Sequence, residues 1–89
     1  GAVRGNHYHK NTLEYFTVVS GLANIFLKDL STGILQELKI SADDNKVIKV
    51  PPGMAHAFKN DAEEPLIILA VSTKEYDRYD TDTYAINIT

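Results

Sequence analysis

The sequence contains no cysteine, and its longest uninterrupted apolar run, residues 66–71, is six residues long. Without cysteine, neither a disulfide framework nor a thiolate metal site can form. A membrane-spanning helix needs about 20 apolar residues, so this run is far too short to be one. A cationic start followed by an apolar segment, the pattern of a signal peptide, is also missing. The sequence therefore predicts a protein without a membrane partner, and the cytoplasm is its default location.

Basic residues are fewer than acidic residues. Lysine and arginine total 9 residues against 12 aspartates and glutamates, which gives a formal net charge of -3. Proteins that bind nucleic acid regardless of its sequence need clustered cationic side chains, because these displace the counterions of the phosphate backbone. We therefore expect no nucleic-acid partner. A few local arginines or lysines are still enough to hold a small anionic ligand.

The chain is long enough for one domain. Two hydrophobic cores do not fit in 89 residues, and a hydrophobic content of 44% is too high for a disordered tail. We predict a single domain over residues 1–89. The residues that carry its motifs begin at position 4, where a closed barrel normally has an earlier strand. The chain is therefore interpreted either as a fragment of a longer protein or as a domain that borrows a strand from a partner.

Polar and apolar residues alternate in several short segments, as they do in half-buried strands. The last of these segments, residues 66–73, is apolar on both faces, which predicts a strand buried between two sheets. Short strands separated by turn residues favour a β-sandwich or a small barrel. The tail, residues 74–89, is predicted to be an arm or a late edge strand. The predicted strands span residues 14–20, 22–29, 34–40, 47–50, 56–59 and 66–73.

Three histidines, His7, His9 and His56, are the most informative residues. On a regular strand, the spacing of His7 and His9 puts both side chains on one face, with Cα atoms roughly 6.5 to 7 Å apart. Glu14 opens the next predicted strand, and His56 follows a Pro-Pro-Gly turn. Three imidazoles and a carboxylate suit zinc, iron, manganese or nickel. The alternative is that these histidines are ordinary surface or core residues, as most short His-x-His matches are.

A longer pattern surrounds these four residues. It reads H-x-H-x4-E-x6-G over residues 7–21 and P-x-G-x2-H-x3-N over residues 51–60. The two strings resemble the signature motifs of the cupin superfamily, and the resemblance covers nearly the whole chain. It implies an all-β, cupin-type jelly-roll barrel that is commonly a homodimer. It also implies a divalent metal ion, zinc before iron, manganese or nickel, bound by His7, His9, Glu14 and His56.

The residues that flank the two motifs resemble those of particular families within the superfamily. Residues 3–9, 50–56, 76–77 and 82–84 are similar to the C-terminal cupin domain of capsular-polysaccharide enzymes that remodel UDP-sugars. The Arg-Gly-x-His and Pro-Pro-Gly-x-Ala-His-x-Phe strings are also similar to dTDP-4-dehydrorhamnose 3,5-epimerase, a metal-free relative. That epimerase usually has glutamine where this chain has His9. Both this difference and the added glutamate at position 14 favour a version that binds metal.

The resemblance implies epimerisation of a 4-keto nucleotide sugar in polysaccharide biosynthesis. Such a reaction needs an acid or base of suitable pKa and a site that stabilises an oxyanion. His7 occupies the position of the catalytic base in the metal-free relative, but an imidazole bound to a metal has no free lone pair. Tyr76 is then the candidate, and its alternative role is packing at the barrel rim. Arg4 and Lys10 are candidates for binding the pyrophosphate; the alternative for both is a solvated side chain, and for Lys10 that alternative is favoured.

Two other functions fit the same residues. One is a non-catalytic cupin that binds a sugar or another small molecule, and the other is an iron-dependent oxygenase. A fold of this kind does not decide among them, because one barrel supports many activities. The sequence leaves open the identity of the metal, the sugar and the nucleotide, and which carbon is inverted.

Overall fold

The computed structural model describes residues 3–73 and 81–89 and is built almost wholly from β-strands. A short 3-10 turn, Ala42–Asp44, links the fourth strand to the fifth. In the described part of the chain, no helix is long and apolar enough to cross a membrane. The strands are β1 (Val3–Tyr8), β2 (Glu14–Ser20), β3 (Leu22–Asp29), β4 (Leu35–Ser41), β5 (Val47–Val50), β6 (Met54–Lys59), β7 (Ile67–Ser72) and β8 (Tyr84–Ala85).

The strands form two sheets. One has the order β4-β3-β6-β1-β8, and the other has the order β5-β2-β7. Each strand pairing is antiparallel across the residues that the structure describes. The pairing of β1 with β6 puts His7 opposite His56, so the two sequence motifs meet in one sheet.

The core lies between the two sheets. Successive side chains of a strand point to opposite faces, so each strand contributes alternate residues to it. Ile25 of β3 and Phe58 of β6 are buried from one sheet, and Phe16 and Val18 of β2 are buried from the other. Each such side chain contributes roughly 1.5–3 kcal/mol when it leaves water. The core cluster consists of Phe16, Val18, Ala23, Ile25, Leu27, Ile40, Val50 and Phe58.

Strand β7 differs from its prediction. It lies at the edge of the three-stranded sheet, and Ile67, Leu69 and Val71 are each more than half exposed, at 54%, 54% and 55%. Only its other face, which includes Ile68, packs against the core. The prediction of a strand buried between two sheets is therefore wrong. Residues apolar on both faces show that a strand is hydrophobic, but they do not show what covers it.

The bounds of the other strands agree closely with those predicted from the alternation of polar and apolar residues. Strands β2, β3 and β5 begin and end where the sequence predicts them, and β4 is displaced by one residue. Strand β6 begins two residues early, because the turn at residues 51–53 is complete before Met54, which pairs with Asp29 of β3.

Residues 81–89 pack against β1. Tyr84–Ala85 pairs with Tyr8 and His7, which makes β8 an edge strand. Beyond it, the backbone N–H of Ile86 donates to the carbonyl of Asn6 at 2.9 Å, and Ile88 packs on the outer face of the larger sheet. The part of the predicted arm that spans residues 74–80 lies outside the described residues. The described end of the chain thus supports the strand that carries His7.

Candidate metal centre

The three histidines converge inside the fold. One ring nitrogen from each of His7, His9 and His56 lies within 4.8 Å of the other two. The ring centroids of His7 and His56 are 4.5 Å apart, and those of His9 and His56 are 5.7 Å apart. Nitrogens bound to one tetrahedral zinc ion are about 3.4 Å apart, given Zn–N distances near 2.1 Å. Small side-chain rotations therefore bring the three rings to ligand distances.

Glu14 completes the set. Its Oε1 directly contacts Nε2 of His9 and lies 4.0 Å from Nε2 of His56. The hydroxyl of Ser72, on the neighbouring strand β7, donates to the other carboxylate oxygen at 3.3 Å. The carboxylate is thus held from one side while its free oxygen points at two imidazoles. The four residues that the sequence singles out as metal ligands lie together.

The hydrogen bonding of His9 shows why the site suits a cation. Its Nδ1 lies 2.7 Å from the main-chain carbonyl of Asp82. A carbonyl can only accept a hydrogen bond, so Nδ1 carries a proton, and Nε2 is the nitrogen whose lone pair is available to a metal. That lone pair faces Oε1 of Glu14, and both atoms are buried without a hydrogen-bond partner. Two such atoms in contact need a proton or a cation between them, and with the ring nitrogens of His7 and His56 close by, these residues fit a divalent metal ion.

His56 is kept neutral by its surroundings. Burial first, and then repulsion from His7 and His9, lowers the pKa of His56 to about 3. Its ring packs against Phe16, with centroids 5.1 Å apart, and its Nδ1 is also buried without a hydrogen-bond partner. A histidine binds a metal only in its neutral form, so this environment suits a ligand.

The histidines converge through an irregular strand. Strand β1 shifts register between Gly5 and His7, and Asn6 between them has a positive φ of 56°. The strand ends at Tyr8, so His9 lies one residue beyond it. The prediction of a regular strand carrying both histidines is therefore wrong, although the two rings still meet. The N–H of Gly53 donates to the His9 carbonyl at 2.8 Å, which ties His9 to the turn that precedes His56.

A cavity of about 440 Å³ neighbours the centre through Phe16, and none of the four candidate ligands lines it. Phe16 connects the two, because its ring packs against His56 and also lines the cavity. Arg4, an exposed residue at the start of β1, brings a guanidinium-bearing side chain to the cavity wall. The lining residues are Arg4, Phe16, Phe58, Asn60, Leu66, Ile68 and Ala70.

The other predicted site residues lie elsewhere. The ammonium of Lys10 sits 4.4 Å from the centre of the Tyr84 ring, which is a cation–π contact. Tyr8, which is not a predicted site residue, stacks on Tyr84 with ring centroids 5.3 Å apart and packs on the outer face of the larger sheet. Tyr76 falls outside the described residues.

The sequence alone assigned no role to Asp82, which lies against the centre. Asp82 is 3% exposed and contacts the chain immediately after His9. A single aspartate in a polar tail is not part of a periodic pattern, so the sequence around it does not predict that it is buried. Its position within residues 82–84, which contribute to the family resemblance, is the one signal that could have drawn attention to it.

Comparisons with known proteins identify relatives of the chain. A family model described as the polysaccharide biosynthesis C-terminal domain matches residues 1–84. A UDP-2-acetamido-2,6-beta-L-arabino-hexul-4-ose reductase from Pseudomonas aeruginosa is 27% identical over 88 residues, covering 99% of this chain and 24% of that protein. The capsular polysaccharide assembling protein CapF from Staphylococcus aureus is 27% identical with a TM-score of 0.93, covering 99% of this chain and 26% of that one.

A more distant structure shares the fold. The dTDP-4-dehydrorhamnose 3,5-epimerase from Bacillus anthracis has a TM-score of 0.80 at 23% identity, over 96% of this chain and 51% of its own. The comparisons confirm the predicted all-β, cupin-type fold and the resemblance to capsular-polysaccharide proteins. The chain spans about a quarter of the length of the reductase and of CapF.

Proposed function

The chain belongs to the polysaccharide biosynthesis C-terminal domain family, and from this premise we propose that it is a metal-binding epimerase or isomerase module for a 4-keto nucleotide sugar. The observation that carries the proposal is the group of three histidines and Glu14, of which all but His7 are buried and whose ligand atoms lie close together. The reductase and the epimerase among its relatives are both named for keto sugars, which supports this substrate class.

The proposed metal ligands are His7, His9, Glu14 and His56, with zinc expected first and iron, manganese or nickel as alternatives. When bound, the ion supplies Lewis-acid stabilisation of an oxyanion. The protein's own side chains hold the proposed ligands in position. Phe16 packs against His56 and reduces the access of water to its ring, and Ser72 holds the carboxylate of Glu14 in place.

Epimerisation requires a proton to leave the carbon beside the ketone and to return to the opposite face. A base takes the proton, an enolate forms, and reprotonation inverts the centre. His7 can serve as that base only in a metal-free protein, because metal binding uses the lone pair. For the metal-bound protein the candidate for proton transfer on one face is Tyr76, and solvent water supplies the proton on the opposite face.

The proposed substrate site is the cavity beside the histidines. Its volume of about 440 Å³ lies within the range of about 300–1,000 Å³ that is common for small-molecule sites. Arg4 lines it, and a guanidinium can bind a pyrophosphate through two parallel hydrogen bonds. Lys10 is a second candidate for the pyrophosphate, and a ligand would have to compete with the Tyr84 ring for its ammonium.

Incorporation of solvent deuterium tests this function. The zinc-loaded protein is incubated in D₂O with UDP- and dTDP-linked 4-keto-6-deoxy sugars. We expect the NMR signal of a proton beside the ketone to disappear and the sugar mass to rise by one unit. Glu14→Gln, which removes the ligand charge with little change in shape, should abolish the exchange, and Asn11→Ala at an exposed neighbouring position should retain it.

Other outcomes of that experiment point to the alternatives. If no deuterium enters any of the keto sugars, the epimerase proposal is wrong. Sugar binding without exchange would then identify a non-catalytic binding domain. Oxygen consumption that depends on added iron would identify an oxygenase.

We also propose that the protein is a homodimer. The outer face of the three-stranded sheet exposes Tyr15, Val47 and Leu69, with exposures of 36%, 66% and 54%, and contiguous exposed apolar surface marks an interaction site. Light scattering at tens of micromolar should therefore give twice the chain mass of 9.9 kDa. Leu69→Glu should give a monomer, whereas Leu35→Glu, on an exposed apolar residue of the other sheet, should not. A monomeric wild-type protein contradicts the proposal.

A further inference from the structure

We propose that Asp82 is the positioning residue of the metal centre, because its carbonyl orients the ring of His9 and its carboxylate holds the loop that follows His9. The inference rests on the proposed metal site. It concerns a residue far from the four ligands in sequence: Asp82 lies 73 positions from His9.

The carbonyl of Asp82 selects the tautomer of His9. It accepts a hydrogen bond from Nδ1 at 2.7 Å, so a proton stays on Nδ1 and Nε2 is the nitrogen left to bind a metal. Nε2 is the atom that contacts Glu14. Histidines that bind metals almost always donate their other ring N–H to a nearby acceptor, which fixes the ring orientation and raises its basicity. The carbonyl of Asp82 is such an acceptor.

The carboxylate of Asp82 holds the three residues that follow His9. Its Oδ1 accepts from the N–H of Lys10 at 3.1 Å. Its Oδ2 accepts from the N–H of Asn11 and the hydroxyl of Thr12, each at 2.8 Å. Hydrogen bonds to an ionised carboxylate are roughly twice as strong as neutral ones. The loop between β1 and β2 is thus fixed between two proposed ligands, His9 before it and Glu14 after it.

The backbone of Asp82 allows both contacts at once. It adopts the left-handed region, with φ of 52°, and is almost fully buried. This conformation brings the carbonyl to His9 while the side chain reaches residues 10–12. Aspartate and asparagine tolerate it better than most residues. Asparagine therefore preserves the backbone while removing the charge.

Two variants separate positioning from simple support of the fold. In Asp82→Asn, an NH₂ group replaces a carboxylate oxygen and faces N–H and O–H groups that can no longer donate to it. In Asp82→Gly, the side chain is removed at a φ that glycine adopts freely. Thr83→Ala, at the exposed adjacent position, is the matched control. Zinc affinity is measured by competition with a chelator. The His9 tautomer is read by long-range ¹H–¹⁵N NMR in the metal-free protein, and the Co²⁺ absorption spectrum reports the ligand geometry.

We expect both Asp82 variants to bind Zn²⁺ at least about tenfold more weakly, as is typical when a residue that orients a metal ligand is removed. We also expect His9 to become a mixture of tautomers, because the loop released by the lost carboxylate no longer holds its ring against the carbonyl of residue 82, and the Co²⁺ spectrum to change, with Thr83→Ala like wild type. Wild-type zinc affinity and an unchanged Nδ1–H tautomer in folded Asp82 variants would overturn the inference and leave the metal site standing.

Failure of the metal site gives a different result. A wild-type protein that does not bind Zn²⁺ overturns the proposed function, while the tautomer measurement still tests the contact of Asp82 with His9. If both Asp82 variants fail to fold, Thr12→Val removes one donor of the same cluster. It should then weaken Zn²⁺ binding by a few-fold and shift the tautomer, and wild-type values for both would overturn the inference.

Discussion

His9→Ala is expected to lower divalent metal binding at the proposed site at least about tenfold, because removing even a residue that only orients a ligand costs about 10–100-fold. The change removes the nitrogen that contacts Glu14 and the N–H group that donates to the main-chain carbonyl of Asp82. The carboxylate of Glu14 is then left in a buried site with one partner fewer. Since metal binding stabilises the folded state alone, the variant should also lose the stability that the metal contributes.

Elemental analysis of protein purified without added metal measures the first effect. Thermal unfolding with and without a chelator measures the second: the chelator should lower the melting temperature of the wild-type protein and leave that of His9→Ala nearly unchanged. Asn11→Ala, two positions along the same loop and exposed, should behave as wild type. Equal metal content in wild type and His9→Ala would show that His9 is not a ligand.

Gly5→Ala is expected to lower the free energy of unfolding by about 2–5 kcal/mol, as the sum of a left-handed backbone penalty and overpacking. Gly5 has a φ of 96°, and a Cβ there would lie 2.8 Å from the carbonyl oxygen of His56 and 2.9 Å from the Cα of Ala57. Both atoms belong to the backbone, so no side-chain rotation can relieve the contact. Strand β1 would have to move away from β6, which would also separate His7 from His56.

Gly33→Ala is the matched control for this change. Gly33 has a φ of 77°, but nothing lies within 4 Å of the position of its Cβ. It should therefore lose only the backbone contribution, about 1–2 kcal/mol. Urea unfolding of the two variants gives the difference directly. If the two variants are equally destabilised, the close approach of β1 to β6 makes no difference to the free energy of unfolding of Gly5→Ala.

The alternation of polar and apolar residues predicted most of the strands because each of those strands has one buried face. In β2, Phe16 and Val18 are buried while Tyr15 and Val19 are exposed, so the sequence period reports the two environments. Strand β7 is apolar throughout, and its outer residues face away from the core. Its pattern contained no information about the burial of that face.

The candidate site was predicted by chemistry and spacing. Histidine and glutamate are uncommon in a hydrophobic interior, and their positions within the two motifs singled out the four residues that the structure brings together. The route by which they meet was not predictable. The register shift at Asn6 and the end of β1 before His9 depend on how β1 pairs with β6 and β8.

The sequence by itself determined the all-β class, most strand bounds and the identity of the four candidate ligands, because these depend on local periodicity and on the chemistry of single side chains. The tertiary structure alone decided that Asp82 holds the loop after His9, that Phe16 joins the histidines to a cavity, and that one face of β7 is exposed. These features arise from contacts between residues distant in the chain. Such contacts follow from strand register and sheet order, which no local pattern encodes.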